Sequence, residues 1–140
     1  MRNIFTVFAL VSLLSPLSLV AHAEDGPKCN ADGDNSEMAA CALDDYKAED
    51  EKLNAVYAAY LKKMQSVDFN FGNTQSDTAV GRLKTAQRAW IAFRDAECPL
   101  ESVANIGGSI ERILEPACLA KKTKERTIHL EEQLREMEAD

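Results

Sequence analysis

Four cysteines, Cys29, Cys41, Cys98 and Cys118, constrain this chain more than any other feature. A small exported chain with an even set of cysteines normally closes them into disulfides, so export must be settled first. Arg2 supplies a short positive start, and Ile4 to Val20 is an apolar run broken only by Thr6, Ser12, Ser15, Pro16 and Ser18. Ala21-His22-Ala23 then has the small-x-small form of a cleavage site. This is the layout of a secretory signal peptide. The run is short for a bilayer span and contains a proline, so no stable membrane anchor is expected after cleavage. Residues 1–23 therefore read as a signal peptide and 24–140 as one folded domain, periplasmic or secreted.

Zinc is the competing use of four cysteines, but structural zinc cysteines come as close C-x₂₋₄-C pairs. No such pair exists here. Four cysteines allow three pairings, and locality favours Cys29–Cys41 with Cys98–Cys118, because each bond closes a short loop. Each bond should contribute about 2–4 kcal/mol, a large share of the net stability of so small a domain.

Charge narrows the partners. All 23 acidic residues lie beyond residue 23, as do all basic residues except Arg2, so cleavage takes the net charge from −7 to −8. That sign opposes nucleic acid and anionic lipid. It suits simple solubility, or a basic protein partner.

Apolar spacing predicts helices. Residues 24–35, rich in Gly, Pro, Asn and Asp, read as an irregular entry. A first helix is expected from about Glu37 to Gln65, with Ser36 as N-cap and Glu37 at the positive dipole end. Leu53, Val56, Tyr57, Tyr60, Leu61 and Met64 form its apolar stripe, continued upstream by Met38, Cys41 and Ala42. Residues 66–73 break the helix, with Phe69 and Phe71 expected to cap the core. A second helix is expected over about Gln75 to Glu97, with Thr74 and Asp77 spaced like a capping box. Val80, Leu83, Gln87, Trp90, Ile91 and Arg94 share its inner face. Pro99 is expected to push Cys98 out of helical geometry and end the element.

Residues 99–109 then read as a loop with at most one short turn, in which Gly107-Gly108 lends freedom before Ser109 caps a third helix. Ala120, Thr123, Thr127, Leu130, Leu134 and Met137 recur along that helix at 3-4-3-4-3 spacing, the seam of a packed helix. Pro116 is expected to kink or restart it. The fold class is thus all-α: a small antiparallel bundle of about three long helices, stapled by disulfides.

A search for catalytic or cofactor machinery finds none. His129 is the lone histidine beyond residue 23 and reads as a surface or packing residue. Gly107-Gly108-Ser109 lacks the nucleophile elbow. P-loop, zincin and dinucleotide signatures are missing, as is a calcium loop. The acidic clusters Asp44-Asp45 and Glu49-Asp50-Glu51 read as a solvated helix face. No cofactor, metal or enzymatic activity is expected. A polar constellation is more distinctive: Asp50, Asn54 and Tyr57 on the first helix, and Gln87, Trp90 and Arg94 on the second. Polar groups on a buried stripe need partners, and Asp50 with Arg94 and Asn54 with Gln87 are the expected interhelical pairs. The stripe either fixes helix register or forms a polar cleft for a ligand.

These residues also carry a resemblance. The string Asp50-x-x-Leu53-Asn54-x-x-Tyr57, then Gln87-x-x-Trp90-Ile91-x-Phe93-Arg94-Asp95-x-x-Cys98, then Gly107-Gly108-Ser109 and Cys118-x₄-Thr123-x-x-Arg126-x₃-Leu130 resembles the LprI-type lysozyme-inhibitor family over about residues 29–130. The resemblance implies an exported helical domain that inhibits lysozyme or otherwise protects the envelope. A basic lysozyme is then the expected partner, steered in by acidity. The 99–109 loop, with Leu100, Ile106, Gly107, Gly108 and Ser109, is the expected plug for the enzyme's cleft. The alternative is a non-inhibitory periplasmic binding, immunity or envelope-stress module.

Overall fold

The computed structural model describes residues 27–67 and 77–139. The expected signal peptide, Phe69, Phe71 and Thr74 lie outside the described residues. The fold is all-α, with α1 (Asn35–Val67), α2 (Ala79–Ser102) and α3 (Glu111–Ala139), and a single turn of 3-10 helix (Val103–Asn105) between the last two.

α1 begins two residues earlier than the spacing implied, and its cap is Asp34 rather than Ser36. The Asp34 carboxylate accepts from the Ser36 and Glu37 backbone N–H groups at 2.8 and 3.0 Å. Glu37 returns the bond, its Oε2 accepting from the Asp34 N–H at 3.0 Å. This is a reciprocal capping box with Asp in place of Ser or Thr. α2 is capped by Thr78, whose hydroxyl accepts from Gly81 N–H at 2.9 Å. Its first described helical residue is Ala79, later than the expected Gln75.

Both prolines sit inside helices, against expectation. α2 runs through Pro99 to Ser102, with Cys98 still helical, and α3 runs through Pro116 without restarting. Each proline removes one N–H donor, and the preference of a pre-proline residue for extended geometry is only a bias. Here tertiary anchoring outweighs that bias. Cys98 is buried in a disulfide, and Ser102 beyond it is buried with its hydroxyl donating to the Pro99 carbonyl at 2.9 Å.

Cross-links fix the helix directions. Cys98 bonds Cys118, Arg94 meets Thr123 and Gln87 meets Arg126, so α2 descends as α3 ascends. Arg94 also meets Asp50 of α1, and Tyr60 further along α1 shares the core with Leu83 earlier in α2, which sets α2 antiparallel to α1. α1 and α3 are therefore parallel, and Asn35 at the start of one donates to the Ser109 hydroxyl just before the other at 2.6 Å. α3 is the central element: α1 packs along most of it, while α2 lies mainly against α3 and touches α1 least. The core is built from Leu53, Tyr60, Leu83 and Leu130, with Val56, Tyr57, Leu61, Met64, Trp90, Leu134 and Met137 packed around it. These are the stripe positions read from spacing. Ile91 departs from that reading, since it is exposed. Enclosing a side chain such as Leu130 contributes about 1.5–3 kcal/mol.

Candidate functional site

The disulfides are Cys29–Cys41 and Cys98–Cys118. The first ties the entry segment to α1, and the second clamps the end of α2 to α3. Between them lies the polar stripe, organised around one guanidinium. Arg94 is only 6% exposed. Its Nε donates to Asp95 at 2.8 Å, and one terminal amino group reaches Thr123 Oγ1 at 3.2 Å and Asp50 at 3.5 Å. The guanidinium lies 5.1 Å from the Trp90 ring centroid and 5.3 Å from that of Tyr46. Burying a cation is costly unless its donors and its charge are matched. Three oxygens and two aromatic faces meet that requirement here.

The expected Asp50–Arg94 pair is thus present. The expected Asn54–Gln87 pair is not. Asn54 is exposed and donates to Asp50 on its own helix at 2.9 Å. Gln87 is buried and accepts from Arg126 Nε on α3 at 3.1 Å. The physical reason is placement: α2 packs more extensively on α3 than on α1, and Gln87 finds its partner on α3. Tyr57 and Trp90 are half-buried against the core. Sequence reasoning placed Thr123 on the seam and Arg126 in the family string, but gave neither a partner. Tyr46 and Asp95 had no signal tying them to Arg94.

The Cys98–Cys118 bond holds a second feature, the connection between α2 and α3. Leu100, Val103, Ile106 and Ile110 are exposed there by 65, 50, 69 and 44%. Leu100 lies on the last turn of α2 and not in a loop, a consequence of the helix running past Pro99. Ile106, Gly107, Gly108 and Ser109 form the turn itself. Gly107 has φ +80°, a conformation L side chains rarely adopt. Its N–H donates to Glu111 Oε2 at 2.8 Å, and Gly108 N–H to the Asn105 carbonyl at 2.9 Å. The turn is therefore hydrogen-bonded, and the α2–α3 connection as a whole leaves these four apolar side chains exposed to solvent. Isolated exposed apolar residues are ordinary, and here four lie within eleven residues of chain.

At the other end of the bundle, burial pushes the Tyr60 phenol above its usual value, with Arg126 opposing and Glu136 adding to the rise. Burial likewise works against the Arg126 charge, and Tyr60 offsets part of that. Among the described residues no cluster of His, Cys, Asp or Glu is arranged to hold a metal ion. The acidic clusters of α1 pair along their own helix, Asp44 with Lys47 at 3.2 Å and Glu49 with Lys52 at 2.7 Å.

The described residues thus form a disulfide-stapled helical bundle with a matched buried cation and an exposed apolar tip. The chain belongs to the LprI family: the family model described as lysozyme inhibitor LprI matches residues 28–130. An uncharacterized protein of Rhizobium meliloti strain 1021 is 37% identical over 125 residues, covering 87% of this chain and 90% of that protein. The uncharacterized protein YecT of Escherichia coli K12 is 30% identical over 105 residues, covering 71% of this chain and 64% of its own length. A crystal structure of a DUF1311 family protein from Pseudomonas putida KT2440 shares the fold. Its TM-score is 0.60 at 24% identity, with 75% of this chain and 97% of that one covered.

Proposed function

We propose that this chain is an exported protein that inhibits a basic lysozyme by seating its apolar tip in the enzyme's cleft. The observation that carries the reading is the exposed row Leu100, Val103, Ile106 and Ile110 on a connection clamped by Cys98–Cys118. Affinity concentrates in a few desolvated contacts, and a pre-ordered contact loses less entropy on binding. Acidity complements the target, since the net charge of −8 left once residues 1–23 are removed steers the chain towards a basic enzyme. The cleft of such an enzyme holds the carboxylates that cleave the glycosidic bond, so covering it stops the reaction. Membership of the LprI family supports the same target class. Two disulfides fit an oxidising compartment, and no helix among the described residues is long and apolar enough to cross a membrane. We place residues 1–23 as a cleaved signal peptide.

The test is binding of the disulfide-bonded protein to immobilised animal-type lysozyme, run beside a turbidity assay on cell walls. Wild type should bind and slow lysis. Leu100→Ser with Ile106→Ser should raise the dissociation rate about tenfold or more while circular dichroism stays unchanged. Absence of binding at low salt would overturn the lysozyme reading. Binding without slowed lysis would leave a non-inhibitory binding module.

A further inference from the structure

A hollow of about 230 Å³ between α2 and α3 is lined by Trp90, Phe93, Lys122, Glu125, Arg126 and His129. In a chain of net charge −7 this is an unusual grouping, since three of the six residues are of basic type. Its centre is Arg126, which differs from Arg94 in one respect. Arg94 commits its Nε and one terminal amino group to protein oxygens. Arg126 donates only Nε, to buried Gln87 at 3.1 Å. Its terminal amino groups have no hydrogen-bond or ion-pair partner among the described residues.

The guanidinium is nevertheless held in place. Gln87 fixes its Nε edge, and the Trp90 ring centroid lies 5.9 Å from its central carbon. A planar fork with two free amino groups, locked by a buried amide and an indole, matches a carboxylate's two oxygens. Lys122 stands alongside, its ammonium 5.4 Å from the Phe93 ring centroid and 3.5 Å from Glu101. Phe93 is 53% exposed and forms an apolar platform beside these cations. Glu125 is the opposing charge on the rim.

We propose that this hollow binds a small organic carboxylate, its oxygens held by the terminal amino groups of Arg126 with Lys122 alongside, and its apolar body laid on Phe93. The site is distinct from the apolar tip and does not depend on the lysozyme reading. Trp90 is the only tryptophan in the chain, so its fluorescence reports on the hollow directly.

The experiment titrates the disulfide-bonded protein with benzoate and, in parallel, with benzamide, its neutral counterpart. Benzoate should change Trp90 emission saturably and benzamide should not. Arg126→Gln should weaken benzoate by about ten- to a hundredfold, the range for a charge-assisted hydrogen bond. Arg126 also touches Gln87 and Trp90, so that variant alone could act through the fold. Two rim changes remove the ambiguity: Lys122→Gln should weaken benzoate and Glu125→Gln should tighten it, opposite effects that a folding defect does not produce. The proposal is overturned if benzoate gives no saturable response up to about 10 mM, on the scale where 1 mM is already weak binding. It is equally overturned if benzamide binds as well, or if the two rim variants shift affinity in the same direction or not at all.

Discussion

Arg94 draws most of its surroundings into one network, and its removal is expected to be felt throughout the bundle. Its side chain is 7% exposed, whereas that of Asp50 is 39% exposed. Breaking a fully buried ion pair costs about 3–5 kcal/mol. Because water already reaches Asp50, Arg94→Ala should cost less, about 2–3 kcal/mol by chemical denaturation. Arg94→Lys should recover only part of that, since an ammonium cannot face Asp95, Thr123 and two rings at once. A melting temperature unchanged by either substitution would contradict the network. Tyr60 makes a second test. Its folded-state value lies above the usual 10.0, so the phenol is protected in the fold and free to ionise in the unfolded chain. Its contribution is therefore complete below pH 10 and is lost as pH rises from there towards the folded-state value. Denaturation midpoints should fall over that alkaline range in wild type, and Tyr60→Phe should flatten the fall.

Among the helices, ends and interruptions carry the clearest expectations. The Asp34–Glu37 box fixes where α1 starts, and Asp34→Ala should cost about 1 kcal/mol, read from denaturation midpoints. Glu37→Ala should cost a smaller share of the same motif. The continuation of α2 beyond Pro99 rests on anchoring rather than propensity. Cys98→Ser with Cys118→Ser should therefore lower stability by about 2–4 kcal/mol. It should also loosen residues 99–110 first, visible as faster amide hydrogen exchange there than in α1. Gly107→Ala tests the tip locally. At φ +80° the added methyl strains the backbone, with an expected loss of about 1 kcal/mol.

Across the whole molecule, the proposed encounter with a basic enzyme should divide into two separable parts. Net charge acts at long range, and salt near 0.1–0.15 M screens charges beyond about 8–10 Å. Raising salt should slow association several-fold and change dissociation little. The tip contacts should behave oppositely, setting the dissociation rate and resisting salt. Interaction kinetics across a salt series would check this, and a salt-sensitive dissociation rate would argue against an apolar plug.

Much of this architecture was legible in the sequence because it depends on local rules. Helical apolar spacing identified Leu53, Tyr60, Leu83 and Leu130 as core, and the polar stripe with its Asp50–Arg94 pair followed from the same helical faces. Cysteine locality pointed to the two disulfides found. Tertiary structure alone decided the rest. The partner of Gln87 depends on which helix stands beside it, and no spacing within α2 encodes that. The passage of helices through Pro99 and Pro116 depends on a disulfide and buried neighbours outweighing a modest backbone bias. Asp34, two residues earlier, displaced Ser36 as cap because it forms a reciprocal bond with Glu37. The hollow around Arg126 joins residues from two helices that are far apart in sequence, Trp90 and Phe93 with Lys122 and Arg126. Local chemistry is written in neighbouring residues, whereas a site made from two helices exists only once packing has set which of their faces meet.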